Sequence, residues 1–247
     1  MKILNFILKY RYLLFRKWFK KPYSPTGKLI FSENFKTLDN FNVTDGEFYG
    51  DNDVWFSKEA VQITDSGVRI ACFKDKLLHK SWNGERETTW TSGLLDSRGK
   101  FEYSFGTWVF EAKICNSWPA IWLLHNERNE PGYERVQITP EVDIMEVCKG
   151  NKVRHTVHFG YSNTVYKTHE IGSNIFKCDN QVHTFAVAMS PKGYKFYIDG
   201  ILTAHFKTKN KEFISNVPCY LIINNAASKY NNENYYDFTI KSYKVYS

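Results

Sequence analysis

The most constraining feature of this chain is an alternation of apolar and polar residues in short runs, which continues from Pro22 onward. Residues 61–72 form two such runs around a turn at Asp65–Gly67, and residues 192–206 form two more around Asp199–Gly200. Similar runs occupy residues 101–114, 118–124, 141–147, 153–160, 183–189, 219–226 and 236–246. Because side chains alternate between the two faces of a strand, the pattern predicts an all-β sandwich or jelly roll.

The length of the chain is compatible with one large domain. It has 247 residues, of which 43% are hydrophobic, and all-β sandwiches of this size commonly form a single core. We see no internal repeat and no Gly/Ser-rich linker, and the composition changes only near Pro22–Gly27. The sequence therefore predicts a short N-terminal segment, residues 1–27, followed by one domain, residues 28–247.

The net charge of +7 is confined to the N-terminal segment. Residues 1–21 contain seven basic residues and no acidic ones, which leaves 26 basic and 26 acidic residues in 22–247. A domain that is neutral by count lacks the basic surface on which nucleic-acid binding depends, so we expect no nucleic-acid partner.

The N-terminal sequence MKILNFILKYRYLLFRKWFKK is typical of a basic amphipathic helix. Its first apolar run is short and no small-residue cleavage site follows, so a cleavable secretory signal is not predicted and the localisation stays open. Two alternatives remain. Residues 1–21 contact a membrane peripherally or act in export, or they pack as an appendage on the adjoining domain.

The five cysteines are odd in number and have no CxxC spacing. This pattern disfavours both a disulfide scaffold and a zinc ribbon. We expect them to be small buried side chains.

The most informative segment is PEVDIMEV, residues 140–147. In a strand, Glu141 and Asp143 share one face, and one extra residue in a β-bulge would bring Glu146 to the same face. Carboxylates about 7 Å apart on one face repel each other and raise at least one pKa. The arrangement is therefore costly without a use, although an isolated ExDxxE motif also fits a solvated edge strand.

The surroundings of this motif resemble glycoside hydrolase family 16, the laminarinase-like group with a concanavalin A-like jelly roll. The stretches that carry the resemblance follow one another in the family's order. They are KLIFSENF, TSGLLDSRGKFEYSFGTWVFEAKI, WPAIWLL, EVDIME, HTVHFG, VHTFAVAMSPKGYKFYIDG and FTIKSYKVY. The resemblance covers about residues 28–247 and implies that this domain is catalytic.

The resemblance also implies roles for the three acids. Glu141 would be the nucleophile, Glu146 the acid/base and Asp143 the helper between them, in a retaining mechanism with carboxyl groups about 5–5.5 Å apart. Glu146 would carry a proton near neutral pH, which neighbouring negative charge favours. We expect the acids to titrate as a coupled group.

Sugar rings present flat C–H faces that pack on aromatic side chains, so tryptophans are candidate substrate-binding residues. Trp118 and Trp122 are spaced to share a strand face, and we expect them to line the cleft, with a core position as the alternative for either. Trp82 and Trp90 lie in a loop-like stretch, where outer-subsite platforms and core positions are both compatible with the sequence.

Two polar residues complete the candidate site. His158 matches a family histidine on the strand beside the catalytic one and could bind a carboxylate or a sugar hydroxyl. Asn224 resembles a cleft-facing family asparagine. His155 and His158 form HxxH, but a spacing of three places strand residues on opposite faces, which disfavours a metal pair.

The sequence thus predicts a monomeric retaining endo-hydrolase of a polysaccharide, most simply a β-1,3-glucan or a mixed-linkage β-glucan. Alternatives are a β-galactan hydrolase of the agarose or carrageenan type, a glycosyl transferase of the same family and a non-catalytic glycan-binding jelly roll. No cofactor is expected to be required, and a structural calcium on the sandwich is left open.

Overall fold

A computed structural model describes residues 2–16, 23–48, 53–81, 84–125, 137–148, 150–163, 165–207, 217–227 and 231–247. It contains one α-helix, α1 (Lys2–Phe15), and a short 3₁₀ helix (Lys58–Ala60), within these ranges. The first strands are β1 (Leu29–Glu33), β2 (Asn42–Val43), β3 (Glu47–Phe48), β4 (Val54–Phe56), β5 (Val61–Thr64), β6 (Gly67–Ser81), β7 (Gly84–Ser92), β8 (Leu94–Asp96), β9 (Glu102–Tyr103) and β10 (Gly106–Lys113). The remaining strands are β11 (Trp118–His125), β12 (Gln137–Cys148), β13 (Lys152–Asn163), β14 (Val165–Lys177), β15 (Val182–Ser190), β16 (Gly193–Ile198), β17 (Ile201–Lys207), β18 (Cys219–Ala226) and β19 (Tyr235–Tyr246).

The strands of the described ranges form two sheets. The larger sheet has the order β17-β16-β15-β10-β19-β6-β7-β4-β3, with β1 beside β19 and β5 beside β6. The smaller sheet has the order β14-β13-β12-β11-β18-β8-β2, with β9 beside β18. Neighbouring strands of the smaller sheet are antiparallel and often distant in the chain, as expected for a jelly roll. The predicted all-β jelly-roll sandwich is therefore confirmed.

The core lies between the two sheets and follows the predicted alternation. Trp108, Phe110 and Phe185 come from the larger sheet and are fully buried. Ile121 and Val142 come from the smaller sheet and are fully buried as well. Because every second residue of these strands enters the core, the intervening residues of the smaller sheet are left on its outer face, where the candidate site lies.

The sequence predicts the position of one hairpin turn correctly and misses a chain reversal in another segment. β16 and β17 are joined at Asp199–Gly200, both with positive φ, as the Asp-Gly signal indicates. The sequence predicts one strand over residues 101–114, and this prediction is wrong. The segment forms two strands, β9 and β10, which belong to different sheets. Phe105 and Gly106 both adopt positive φ there, which ends β9 and redirects the chain into β10.

Strands β6 and β7 pair with each other in antiparallel fashion from Cys72↔Ser92 to Ser81↔Gly84. The sequence predicts a loop-like stretch around Trp82 and Trp90, but Trp90 lies in β7 opposite Lys74. The register shift between Lys74 and Leu77 marks a bulge in β6 that interrupts simple alternation over this stretch.

The N-terminal helix packs on the domain against β14 and β17. This is one of the two alternatives that the sequence left open for residues 1–21, and residues 17–21 lie outside the described ranges. Lipid contact and the division into residues 1–27 and 28–247 stay predictions. Within the described ranges, no helix has the length and apolar character needed to span a membrane.

All five cysteines carry free thiols. Cys72, Cys115, Cys178 and Cys219 are buried, as expected for small apolar side chains, whereas Cys148 is half-buried. Burial raises the pKa of Cys115 to about 11, so this thiol is uncharged at neutral pH.

Candidate active site

The predicted β-bulge is present in β12. Asp143 pairs with Trp122 of β11, and Met145 pairs with Ile121, so Ile144 is the extra residue between them. The ladder with β13 is shifted over the same stretch. The bulge therefore brings Glu146 to the face of β12 that already carries Glu141 and Asp143, as the sequence predicted.

The strand register assembles the site across the smaller sheet. Glu146 lies opposite Ala120 of β11, and Ala120 lies opposite Asn224 of β18. On the other side of β12, Glu141 lies opposite His158 of β13. Residues that are far apart in the chain thus become neighbours through sheet pairing, and Ala120 leaves open space between larger side chains.

Glu141, Glu146, Ala120 and Asn224 line a cavity of about 210 Å³ on the outer face of the smaller sheet. Its lining comprises Phe56, Leu94, Trp118, Ala120, Trp122, Glu141, Asp143, Glu146, Asn224 and Ala226. Three carboxylates share this space, although their strand positions span six residues. Trp118, Ala120 and Trp122 share one strand face, as the sequence predicted.

The two cavity tryptophans make polar contacts through their indole N–H groups. Trp118 Nε1 donates to Glu146 Oε1 over 3.1 Å. Trp122 Nε1 donates to Asn224 Oδ1 over 2.9 Å. Since an indole N–H can only donate, these bonds orient the two acceptor groups and leave the indole faces as apolar walls.

His158 contacts two of the acids. Its Nε2 lies 3.2 Å from Asp143 Oδ2 and 4.0 Å from Glu141 Oε1. Asp143 is almost fully buried, and Oδ2 has no hydrogen bond of good geometry within the described residues. The imidazole can therefore balance charge at Asp143 when it is protonated, and the charge of Arg154 acts on Asp143 in the same direction.

Burial and mutual repulsion favour the protonated forms of two acids. Burial, then the charge of Asp143, raises the pKa of Glu141 to about 8, while His158 opposes the shift. Burial, then the charge of Glu146, raises the pKa of Asp143 well above its usual range. Because the groups interact strongly, the protons belong to the cluster as a whole. The structure therefore supports the expected coupling for Glu141 and Asp143.

A buried histidine holds the bulge from behind, and sequence reasoning did not find this role. His155 Nδ1 donates to the carbonyl oxygen of Ile144 over 2.6 Å, and its Nε2 lies 2.9 Å from Thr203 Oγ1 on the other sheet. Burial lowers the pKa of His155 to about 4, so the ring is neutral. The prediction that His155 and His158 occupy opposite faces is confirmed. The sequence signal for this role was a histidine at a core-facing position of a strand, because a buried histidine requires buried polar partners.

The outer tryptophans are placed differently from the substrate-binding prediction. Trp90 is only 2% exposed and packs in the core beside Tyr236, with Lys74 Nζ 5.3 Å from its ring centroid. It is a core residue, which was the alternative, and not a platform at the cleft. Trp90 lies on the core-facing side of β7, and because it is in a strand and not in a loop, its side chain cannot turn toward the cleft. Trp82 lies outside the described residues.

The described residues contain one group with the spacing of a metal site, formed by Glu141, Asp143 and His158. It coincides with the carboxylate cluster. Calcium binds six to eight oxygen ligands, so two carboxylates and an imidazole do not fit that ion. This group is therefore not a site for the structural calcium that the sequence analysis considered.

Comparisons with known proteins agree with this fold. The laminarinase catalytic domain from Thermotoga maritima MSB8 is 19% identical with a TM-score of 0.71, covering 90% of this chain and 99% of its own. Laminarinase from Flavobacterium sp. UMI-01 is 23% identical with a TM-score of 0.70, covering 89% and 100%. Endo-beta-1,3-glucanase from Pyrococcus furiosus is 21% identical with a TM-score of 0.71, covering 90% and 94%. No curated protein sequence matches the chain.

At these identities the structural likeness establishes the fold alone. The sequence model described as glycosyl hydrolases family 16 matches residues 48–241, which is most of the chain. That span includes the bulged strand, the cavity and both cavity tryptophans. The chain therefore belongs to glycosyl hydrolase family 16.

Proposed function

We propose that this protein is a retaining endo-hydrolase of β-glucan, acting on β-1,3-linked or mixed-linkage chains. The observation that carries the proposal is the bulge in β12, which gathers Glu141, Asp143 and Glu146 in one cavity beside Trp118. Burial and neighbouring charge raise the pKa of Glu141 and of Asp143, so this grouping of acids is costly, and glycoside hydrolysis is a chemistry that requires such carboxyl groups.

In the first step, Glu141 attacks the anomeric carbon while Glu146 protonates the leaving oxygen. Trp118 donates to Glu146 Oε1, so Oε2 is the oxygen that can carry the acidic proton toward the substrate. This orients the acid before the substrate arrives. Attack forms a glycosyl ester on Glu141, and the glycosidic C–O bond breaks as its oxygen takes the proton.

Glu141 must be ionised to attack, although burial and Asp143 raise its pKa to about 8. The transition state has positive charge near the anomeric carbon, which favours the arrangement with Glu141 ionised and the shared proton on Glu146. Asp143 lies between the two in sequence and on the same face. We assign it the role of adjusting this proton distribution, with His158 as its partner.

In the second step, Glu146 is the base that takes a proton from water. Glu146 has given its proton to the leaving oxygen in the first step, so it is ionised when water arrives and can accept the proton that water loses. The attacking water opens the ester with retention of the β configuration.

The assignment of substrate rests on the fold neighbours. Structures described as laminarinases and endo-1,3-β-glucanases have the same architecture over about nine tenths of this chain. Trp118 and Trp122 provide the aromatic walls on which sugar rings pack.

The proposal is tested by incubating the full chain with laminarin, mixed-linkage β-glucan, agarose and carrageenan, with Glu146→Gln as the matched control. We expect oligosaccharides of several lengths from laminarin or mixed-linkage β-glucan early in the reaction, measured by mass spectrometry, and none from the control. Release from agarose or carrageenan alone would overturn the substrate assignment. Transfer products longer than the substrate would instead assign a glycosyl transferase. Binding without product from any of these would favour a glycan-binding module.

The retaining mechanism is tested separately by proton NMR of the first products. Newly formed reducing ends should have the β configuration before mutarotation scrambles them. An initial α anomer would mean inversion, with Glu141 acting as a base on water.

A further inference from the structure

One face of α1 is fastened to the domain, and we call Asn5, Leu8, Tyr12 and Arg16 its docked face. Asn5 Oδ1 accepts the backbone N–H of His205 over 2.9 Å, which satisfies an amide of the edge strand β17. Leu8 is buried, and Tyr12 is fully buried. These residues recur every three or four positions, so they form a single stripe along the helix.

A polar network fixes the orientation of the helix. The hydroxyl of Tyr12 donates to Asp199 Oδ2 over 3.3 Å, and His183 Nδ1 lies 2.7 Å from the same oxygen. The Arg16 guanidinium lies 3.8 Å from Asp179 Oδ2 and 5.3 Å from the centre of the Phe176 ring. With this face engaged, the opposite face of α1 must point away from the domain.

The opposite face is apolar, and we define the apolar face as Ile3, Phe6, Ile7, Tyr10 and Leu14. All five side chains are exposed, with Ile3 at 77% and Leu14 at 69%. The spacing is that of an amphipathic helix, but the apolar stripe faces outward, whereas a helix of a soluble domain usually turns this stripe to the core. A contiguous exposed apolar patch of this kind marks an interaction site.

Basic residues flank the apolar face on both sides. At about 100° per residue, Lys9 falls on one side of the stripe and Arg11 on the other. Residues 1–21 contain seven basic residues and no acidic ones, while the rest of the chain is neutral by count. The surface that fits this pattern is apolar below a layer of negative charge, which describes an anionic lipid bilayer.

Other occupants fit this pattern less well. The helix has 14 residues, or about 21 Å of length, against about 30 Å for a hydrocarbon core, so it is suited to lie on a bilayer. A second copy of the chain in a twofold dimer would bring two such cationic segments together, and their repulsion opposes that contact.

We infer that the apolar face of α1 is a membrane-contact site, by which the folded protein lies peripherally on an anionic lipid surface. The docked face holds the helix on the domain while the apolar face enters the interface, so binding requires no unfolding. The inference is independent of the proposed hydrolase activity.

The test is flotation of the full chain with vesicles of phosphatidylcholine alone or mixed with phosphatidylglycerol. The variant Phe6→Gln/Leu14→Gln removes two apolar side chains and keeps residues that favour a helix. The matched control Leu77→Gln/Leu78→Gln removes two exposed leucines of the β6–β7 hairpin. We expect partitioning of the wild type and of this control onto anionic vesicles, and a loss on the order of 100-fold in the helix variant.

A second arm tests the charges and the competing occupant. Lys9→Gln/Arg11→Gln should weaken binding to anionic vesicles and flatten its salt dependence. No wild-type binding, or equal binding by the wild type and the Phe6→Gln/Leu14→Gln variant, would overturn the inference. A wild-type dimer that dissociates in that variant, measured by light scattering, without vesicle binding would assign the apolar face to a second copy instead.

Discussion

Replacing Glu141 by glutamine should abolish turnover and stabilise the folded protein in a pH-dependent manner. Burial, the charge of Asp143 and the charge of Glu146 raise the pKa of Glu141 from 4.5 to about 8. Between these two values the folded state binds more protons at this position than the unfolded state. The stability of the wild type therefore falls as the pH rises through this window, and glutamine, which cannot ionise, removes the loss.

The expected gain in stability follows from the size of the pKa shift of Glu141. At 1.36 kcal/mol per pKa unit, the shift corresponds to a ceiling of about 5 kcal/mol. The Glu141 side chain is 36% exposed, so solvent screens its charge, and we expect about 1–2 kcal/mol. For a chain of this size that is roughly 2–8 °C in melting temperature.

The assay is thermal unfolding of the wild type and Glu141→Gln at about pH 5 and about pH 8.5. Glu87→Gln is the matched control, since Glu87 pairs with Lys76 on the exposed hairpin and its side chain is 62% exposed. The increase in melting temperature of Glu141→Gln over the wild type should be small at the lower pH and largest at the higher pH. The control variant should show no such trend. A gain of equal size at both pH values, or a loss at the higher one, would refute the reasoning.

Three further predictions concern residues around the acids. Trp118→Phe keeps an aromatic wall but removes the donor to Glu146, so kcat should fall about tenfold with little change in KM, and an unchanged kcat would argue against this role. His155→Phe leaves the Ile144 carbonyl without its buried donor, and denaturant unfolding should show a loss of about 1–3 kcal/mol, whereas unaltered stability would contradict the bulge-holding role. Trp90→Phe should lower the melting temperature and leave KM for polysaccharide unchanged, and a raised KM would return Trp90 to the cleft.

Much of the fold could be read from local patterns. Alternation in β11 and β12 indicated which residues enter the core, and the Asp199–Gly200 signal located a hairpin. The failures came where local rules were broken. Positive φ at Phe105 split one predicted strand, because a bulky residue in that conformation carries no sequence signal.

The sequence by itself determined that Glu141, Asp143 and Glu146 could share a strand face, because side chains alternate with period two and one inserted residue shifts that period. Only the tertiary structure decided that the insertion occurs at Ile144, where a histidine from β13 binds the freed carbonyl. It also decided that α1 turns its docked face toward the domain. That orientation depends on partners on β14, on β17 and at Asp179 and Asp199, and helical periodicity within one segment does not show which of its faces will contact them.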